Sequence, residues 1–164
     1  MGKKVRYAVM AMLVVMSFVP KPACLLTCGE GAAWMHHFWH ANIFHLLANL
    51  TAIWGVLGSR RWRAWELLCA YLFATMSYHS ASMPVIGFSN AIFAMAGLAV
   101  PYHNAAAYFR NRNTIIFLAV MVLMLLVPQF SGITHIVSFA LGLICSFIVN
   151  GFKDINDEYK RARG

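Results

Sequence analysis

Charged side chains are scarce in this chain of 164 residues. They make up 11% of it, whereas hydrophobic residues make up 61%, and the mean hydropathy is +0.66. A soluble core of this size cannot bury so much apolar surface. The scarcity of charge therefore excludes an ordinary soluble domain and indicates an integral membrane protein.

Polar segments are too short to form a separate domain. They divide the chain into six apolar stretches, at about 6–20, 40–58, 63–79, 87–102, 114–128 and 133–151. Several of these have about 15 to 17 residues, fewer than the roughly 20 of a usual membrane span. We predict an all-α membrane protein, a bundle of six transmembrane helices that forms a single domain over residues 1–164.

Acidic residues are scarcer still, five against 13 Lys and Arg, which gives a formal charge of +8. Placing the N-terminus inside puts every basic residue except Lys21 on the inner side. Lys and Arg are retained on the cytoplasmic side of membranes. We therefore expect a bacterial cytoplasmic membrane protein with both termini inside. Topology and anionic lipid headgroups account for the positive charge, so it predicts no nucleic-acid partner.

The first apolar stretch has a second interpretation. KKVR, an apolar run and PKPAC are typical of a secretory signal peptide. Lys21 and Pro22 fit a cleavage site poorly, which favours a retained helix. Cleavage would leave five spans with the same orientation.

Cysteines are also few. Cys24 and Cys28 fall in the first outer loop, where an oxidising compartment permits a disulfide, although C-x-x-x-C is a weak signal for one. Cys69 and Cys145 lie inside apolar stretches, which is typical of core packing.

Three apolar stretches carry polar residues near their outer ends. HANIFHLLANL places His45 and Asn49 four residues apart on one helical face of the second span. Ser89 and Asn90 open the fourth span, and His135 lies about one turn into the sixth. Polar groups are costly inside a bilayer and need a reason there. We predict that these residues converge at one depth, below the outer surface.

Small residues indicate how closely two of these helices approach. Stripes at helical spacing contain Ser89, Phe93 and Gly97 in the fourth span and His135, Ser138 and Gly142 in the sixth. Gly and Ser permit close helix contact in lipid. The two helices are therefore predicted to pack directly, with the serine facing the histidine, as a nucleophile and its base require.

Together, HANIFHLLANL, GFSNAIFAMAG and HIVSFALG, in this order, resemble the rhomboid intramembrane serine proteases from about residue 35 to 150. The resemblance implies that Ser89 is the nucleophile and His135 the general base and acid, in a dyad without a carboxylate. The one acidic residue expected on the outer side is Glu30. The resemblance also implies an oxyanion hole made by the Ser89 backbone N–H and the side chains of His45 and Asn49.

The same resemblance gives roles to neighbouring residues. Phe93 would pack under the His135 ring, and His40 would lie above the site, ordering water or substrate. Support of the active site is also expected from Gly87, Asn90, Ser138 and Gly142. The implied partners are transmembrane protein substrates and the lipid bilayer, and no cofactor or metal is implied.

Departures from the family pattern keep alternatives open. The family usually reads Gly-x-Ser-Gly, whereas Asn90 follows the serine here; its side chain would either crowd the oxyanion pocket or add a donor. A rhomboid-fold pseudoprotease that binds or escorts membrane helices is therefore one alternative. A membrane metal or haem protein built on His36, His37 and His40 is another.

Two expectations concern the inner side. Glu66 follows Arg63 by three residues and is expected to pair with it. The C-terminal FKDINDEYKRARG mixes charges of both signs and is expected to form a solvated or membrane-surface tail.

Overall fold

The fold was analysed in a computed structural model, which describes residues 3–23, 30–81, 85–100, 105–126 and 132–163. The helices are α1 (Lys3–Ser17), α2 (Glu30–Met35), a 3₁₀ turn (His36–Phe38), α3 (Ile43–Ser59), α4 (Ala64–Tyr78), α5 (Ser89–Leu98), α6 (Ala105–Arg110), α7 (Arg112–Leu125) and α8 (Gly132–Arg163). No strand occurs in these ranges. The all-α prediction is confirmed for them.

Helix α5 lies at the centre of the molecule. All ten of its residues are buried, and it packs most extensively against α8 and α4, with further contacts to α3. One side of it joins a core cluster that includes Leu46 of α3 and Ala70 of α4. Its other side joins a cluster with Met121 of α7 and Phe139 of α8. A short helix enclosed in this way has its two ends fixed by its neighbours.

Helices α5 and α8 approach to backbone contact at a pair of glycines. A Cβ atom added to Gly97 would overlap the carbonyl oxygen of Phe139. One added to Gly142 would overlap the carbonyl oxygen of Ala94. Glycine at both positions therefore sets the spacing of the two helices, as small residues do in other membrane bundles.

An arginine holds the C-terminal end of α5. The Arg60 guanidinium donates from Nη2 to the carbonyl oxygen of Leu98 at 3.2 Å. It also pairs with the Glu66 carboxylate, at 3.0 Å between Nη1 and Oε1. The predicted Glu66 partner was therefore wrong. Glu66 does accept the backbone N–H of Arg63, at 2.6 Å, because it caps the start of α4, but its ion-pair partner is Arg60.

Few helices satisfy the length and apolarity of a complete span. Among the described residues, Gly132–Phe152 meets both criteria by itself, with a mean hydropathy of 2.1. Gly31–Phe38 and Ile43–Ser59 meet them only together, and they are bent by 81°. Ser89–Leu98 and Thr114–Leu123 are apolar but shorter. The count of six spans therefore stays a prediction.

Several boundaries differ from the predicted ones. Helix α5 begins at Ser89 instead of residue 87 and ends at Leu98 instead of residue 102. The segment predicted to be a tail continues α8 as a helix to Arg163. The short helix α6 was not predicted. Cys24 and Cys28 lie outside the described residues, and Cys69 and Cys145 are free and partly buried.

Candidate active site

The turn before α5 depends on a glycine. Gly87 has φ +131°, a backbone conformation that L side chains rarely adopt. A Cβ atom there would lie 2.5 Å from Cε1 of His45. The Gly87 N–H donates to the carbonyl oxygen of His36 at 2.8 Å, which ties the turn to the preceding outer segment. The result is close contact between the start of α5 and the His45 ring.

Ser89 and His135 are in direct contact near the N-terminal ends of α5 and α8. The distance from Ser89 Oγ to His135 Nε2 is 2.8 Å, and both residues are buried, at 7% and 3% exposure. A hydroxyl that donates to Nε2 leaves the ring proton on Nδ1. That nitrogen has no partner among the described residues. The pair is therefore a serine and a histidine without an orienting carboxylate in the described part of the chain.

Aromatic rings support the His135 imidazole in place of a carboxylate. The Phe93 ring lies 4.6 Å from it between centroids, at 35°. The Phe117 ring of α7 lies 4.7 Å from the Phe93 ring between centroids, at 36°. Helices α8, α5 and α7 thus each contribute one ring to a stack that restricts the tilt of the imidazole.

Two further polar side chains approach the turn from α3. This helix begins after Asn42, whose Oδ1 accepts the backbone N–H of His45 at 2.9 Å. One helical turn beyond His45, Asn49 is 4% exposed, and its Nδ2 has no hydrogen-bond partner in the described structure. That nitrogen lies 3.4 Å from the position of a Cβ on Gly87. A buried donor without an acceptor is unusual in a protein interior and is available to an oxygen bound beside Gly87.

His40 lies next to this group. Its ring is 5.4 Å from that of His45, edge to face, and the residue is 6% exposed. Neither ring nitrogen of His40 has a partner among the described residues. It therefore packs edge to face on the His45 ring, and its side chain makes no hydrogen bond to the described residues.

A family profile described as Rhomboid domain matches residues 32–152. This match covers most of the chain and includes every residue of the candidate site. The chain belongs to the rhomboid family. No curated protein matches it. Rhomboid proteins are integral membrane proteins.

In this rhomboid protein the residue after the serine has turned towards α8. Asn90 Oδ1 accepts a hydrogen bond from the Thr134 hydroxyl at 3.0 Å, and both residues are 0% exposed. The carbonyl end of the Asn90 side chain is therefore occupied by the neighbouring helix. Its Nδ2 is buried and has no partner within the described ranges.

Ser138 makes its contact with a different helix. Its hydroxyl donates to Ser77 Oγ at 2.6 Å, and Ser77 donates to the Ala74 carbonyl oxygen at 2.8 Å. Ser138 thus joins α8 to α4 and is not hydrogen-bonded to the dyad. Gly142, one turn below, acts through the close approach of α5 and α8.

His36 and His37 hold the first segment of the rhomboid fold, around the 3₁₀ turn between α2 and α3. His36 Nδ1 donates to the Ala33 carbonyl oxygen at 2.9 Å. The Thr75 hydroxyl donates its proton to the Tyr71 carbonyl oxygen. The same hydroxyl therefore accepts a hydrogen bond from His37 Nε2, at 3.1 Å. Burial lowers the pKa of His36 to about 4. Burial and the neighbouring His36 lower the pKa of His37 to about 2. Both rings are therefore neutral at physiological pH.

A metal site is not formed by these rings in the described part of the chain, where no group of three candidate ligands is close enough to hold an ion. The hydrogen bonds of His36 and His37 instead connect the 3₁₀ turn to the preceding helix α2 and to α4. This arrangement gives the alternative of a metal or haem protein no support.

Some residues of the site were not predicted from the sequence. Thr134 and Phe117 carried no signal, because a threonine or phenylalanine in an apolar run is ordinary and its partner depends on helix register. The Asn42 cap was the exception. An asparagine directly before an apolar helical run is a recognised start signal.

Proposed function

We propose that this rhomboid protein is an intramembrane serine endopeptidase that cuts other membrane proteins within or next to their transmembrane helices. The contact of 2.8 Å between Ser89 Oγ and His135 Nε2 is the observation that carries the proposal. A nucleophile and a base within hydrogen-bond reach are the minimum for acyl transfer.

The chemistry follows from that pair. His135 Nε2 takes the proton of the Ser89 hydroxyl as Oγ attacks the carbonyl carbon of the substrate peptide. The resulting imidazolium then gives its proton to the leaving amine, and the peptide bond breaks. Water hydrolyses the acyl-enzyme with His135 again acting as the base. Because no carboxylate among the described residues contacts His135, we expect slow turnover compared with soluble proteases that have a triad.

The negative oxygen of the tetrahedral intermediate needs donors. The Ser89 backbone N–H at the start of α5, the Asn49 Nδ2 without a partner and the His45 ring beside Gly87 are proposed to supply them. A single donor of this kind commonly contributes about 3 kcal/mol to lowering the barrier.

The proposal places the chemistry inside the hydrocarbon region. Arg60 contacts Leu98 and marks the inner surface. Ser89 is at the other end of α5, nine residues from Leu98, which corresponds to about 14 Å along a helix axis. The hydrocarbon core is about 30 Å thick. Ser89 would therefore lie near mid-depth, reached by water from the outer side.

The complete topology belongs to the same proposal. Six spans over residues 1–164, with both termini at the cytoplasmic face of a bacterial inner membrane, agree with the basic residues on one side of the chain. The expected substrates are single-span membrane proteins with small residues near the cut and helix-weakening residues below it. No cofactor is proposed.

Labelling with a fluorophosphonate probe tests the proposal. Folded wild-type protein in detergent should form a covalent adduct, and Ser89→Ala should form none. His135→Ala should reduce the labelling rate by at least about 100-fold, because base catalysis commonly contributes 10² to 10⁴. Ser146→Ala serves as the control. It removes another buried hydroxyl of α8, which donates to Val100 at 2.9 Å, and should leave labelling intact.

Cleavage is measured in parallel on a transmembrane peptide substrate. Clipped product with the wild type but not with Ser89→Ala supports the peptidase. Folded wild type that neither labels nor cleaves, yet still binds the peptide, would contradict the proposal and favour a pseudoprotease.

A further inference from the structure

The hydrogen bond between Asn90 and Thr134 lies directly beside the dyad. Asn90 follows Ser89 in α5, and Thr134 precedes His135 in α8. The two adjacent pairs therefore form two parallel bridges between the same helices, of 2.8 Å and 3.0 Å. The Ser89–His135 bridge would carry out the chemistry, whereas neither Asn90 nor Thr134 has a group that reacts.

We propose that the Asn90–Thr134 bridge is a positioning device that sets the distance between Ser89 and His135. This inference rests on the proposed peptidase function and explains the departure from Gly-x-Ser-Gly. The Asn90 side chain would then not crowd the site. Through Thr134 it would hold the first turn of α8 and so orient His135, whose Nδ1 has no partner among the described residues.

The need for such a device follows from how His135 is held. Its Nδ1 has no partner among the described residues, so the stacking on Phe93 and the position of the α8 backbone fix the ring. Thr134 and His135 lie in the first turn of α8, where backbone N–H groups lack partners within the helix. A side-chain bond to α5 at that turn limits its movement.

The strength of the bridge follows from its surroundings. Asn90 and Thr134 are both 0% exposed, so water does not compete for the bond, and a low local dielectric strengthens it. Below it, the Gly97 and Gly142 contacts fix the helix pair in the C-terminal half of α5. The bridge extends that fixed spacing to the outer ends, where Ser89 and His135 must meet.

A matched pair of variants separates positioning from stability. Thr134→Val keeps the shape of the side chain and removes the donor. Ser146→Ala removes a buried hydroxyl that joins α8 to Val100, two residues beyond the C-terminal end of α5. Each variant should lower the Tm by a few degrees. Only Thr134→Val should slow fluorophosphonate labelling of Ser89, by about tenfold or more, because small misplacements of reacting groups are costly.

Two further variants identify the bond itself. Thr134→Ser keeps the hydroxyl and should label at about the wild-type rate. Asn90→Leu removes the acceptor, and the double variant with Thr134→Val should be no slower than either single variant, because both variants break the same Asn90–Thr134 bond. Equal slowing by Thr134→Val and Ser146→Ala, or an unchanged rate in folded Thr134→Val, would overturn the inference.

A structural measurement keeps this test independent of the proposed function. If wild type does not label, the peptidase proposal fails, and the positioning inference is decided by crystal structures of the two variants. The Ser89 Oγ–His135 Nε2 distance should exceed about 3.5 Å in Thr134→Val, beyond a hydrogen bond, and stay at 2.8 Å in Ser146→Ala. An unchanged distance in Thr134→Val refutes the positioning role whether or not the protein is an enzyme.

Discussion

At the scale of single residues, Asn49 shows how a functional group differs from a structural one. Its Nδ2 is buried without a partner, which costs stability in the resting protein. Replacement by an apolar side chain of similar size removes that cost. Asn49→Leu should therefore leave the Tm equal or higher, while peptide cleavage falls by about 100-fold because an oxyanion donor is lost.

Asn150→Leu is the control for this prediction. The Asn150 amide already donates to the Ser146 carbonyl oxygen, at 2.8 Å, and the residue lies towards the inner end of α8. It should keep full cleavage activity and lose some stability. The role of Asn49 would be contradicted by normal cleavage in Asn49→Leu, or by a drop in its Tm as large as that of Asn150→Leu.

Residue type and depth were enough to predict several contacts of the candidate site. Ser89 and His135 were predicted to meet because both lie one turn or less from the outer end of a span with small residues, and the structure has them 2.8 Å apart. Thr134 was not predicted to contact Asn90, because the contact depends on how α8 is rotated relative to α5. The catalytic roles themselves stay a prediction.

A local rule misled the assignment of Glu66. The spacing of three residues indicated a pair with Arg63, but a carboxylate at the third position of a helix caps the backbone there. Its remaining oxygen then pairs with Arg60. The spacing correctly predicted that Glu66 contacts Arg63, but it predicted the wrong ion-pair partner. That partner is Arg60, which also donates to the Leu98 carbonyl oxygen at the end of α5.

At the scale of helices, the packing of α5 on α8 predicts opposite effects for two glycines of the same helix. Alanine is favoured over glycine in a helix by about 1 kcal/mol. At Gly151 nothing lies within 4 Å of an added Cβ, so Gly151→Ala should keep or raise the Tm. At Gly142 an added Cβ would overlap the backbone of α5. Gly142→Ala should lower the Tm by several degrees, since overpacking commonly costs about 1 to 3 kcal/mol.

Gly142→Ala and Gly151→Ala also measure how the packing of α5 on α8 affects the labelling of Ser89. In Gly142→Ala the two helices must separate, so labelling of Ser89 should slow as well. In Gly151→Ala it should not. Equal stability and equal labelling of the two variants would refute the close contact of α5 and α8.

Hydropathy predicted where helices occur better than where they end. It located an apolar run at 87–102, but the turn through Gly87 and the end at Leu98 shorten α5 to ten residues. It placed the end of the sixth helix near residue 151, although the helix continues to Arg163. Loss of apolarity marks the edge of a membrane, whereas a helix ends where its hydrogen bonding stops.

At the scale of the whole molecule, the polar groups are divided between the two ends of α5. Ser89 is at the N-terminal end, beside the polar side chains of α3 and α8, and the Arg60–Glu66 pair is at the C-terminal end. The N-terminal end carries neutral, hydrogen-bonding groups, and the C-terminal end carries paired charges. This division agrees with a site that must accept a peptide from lipid, because a fixed charge beside Ser89 would be costly there.

The neutral histidines of the first outer segment make stability depend on pH. His36 has its pKa lowered to about 4 by burial, whereas histidine in an unfolded chain titrates near 6.5. Between these values the unfolded state binds more protons than the folded state. Stability is therefore complete above about pH 6.5 and falls as the pH is lowered towards 4. His37, with a pKa lowered to about 2, acts in the same direction.

Thermal unfolding in detergent at a series of pH values measures this dependence. Wild type should keep a constant Tm above about pH 7 and lose stability steadily below 6.5. His36→Gln removes one titrating group that the fold keeps neutral, so its Tm should fall less steeply over the same range, whatever its Tm at pH 7.5. His79→Gln replaces an exposed histidine and should show the wild-type slope. Parallel slopes for wild type and His36→Gln would mean that the buried ring is not what makes the protein sensitive to acid.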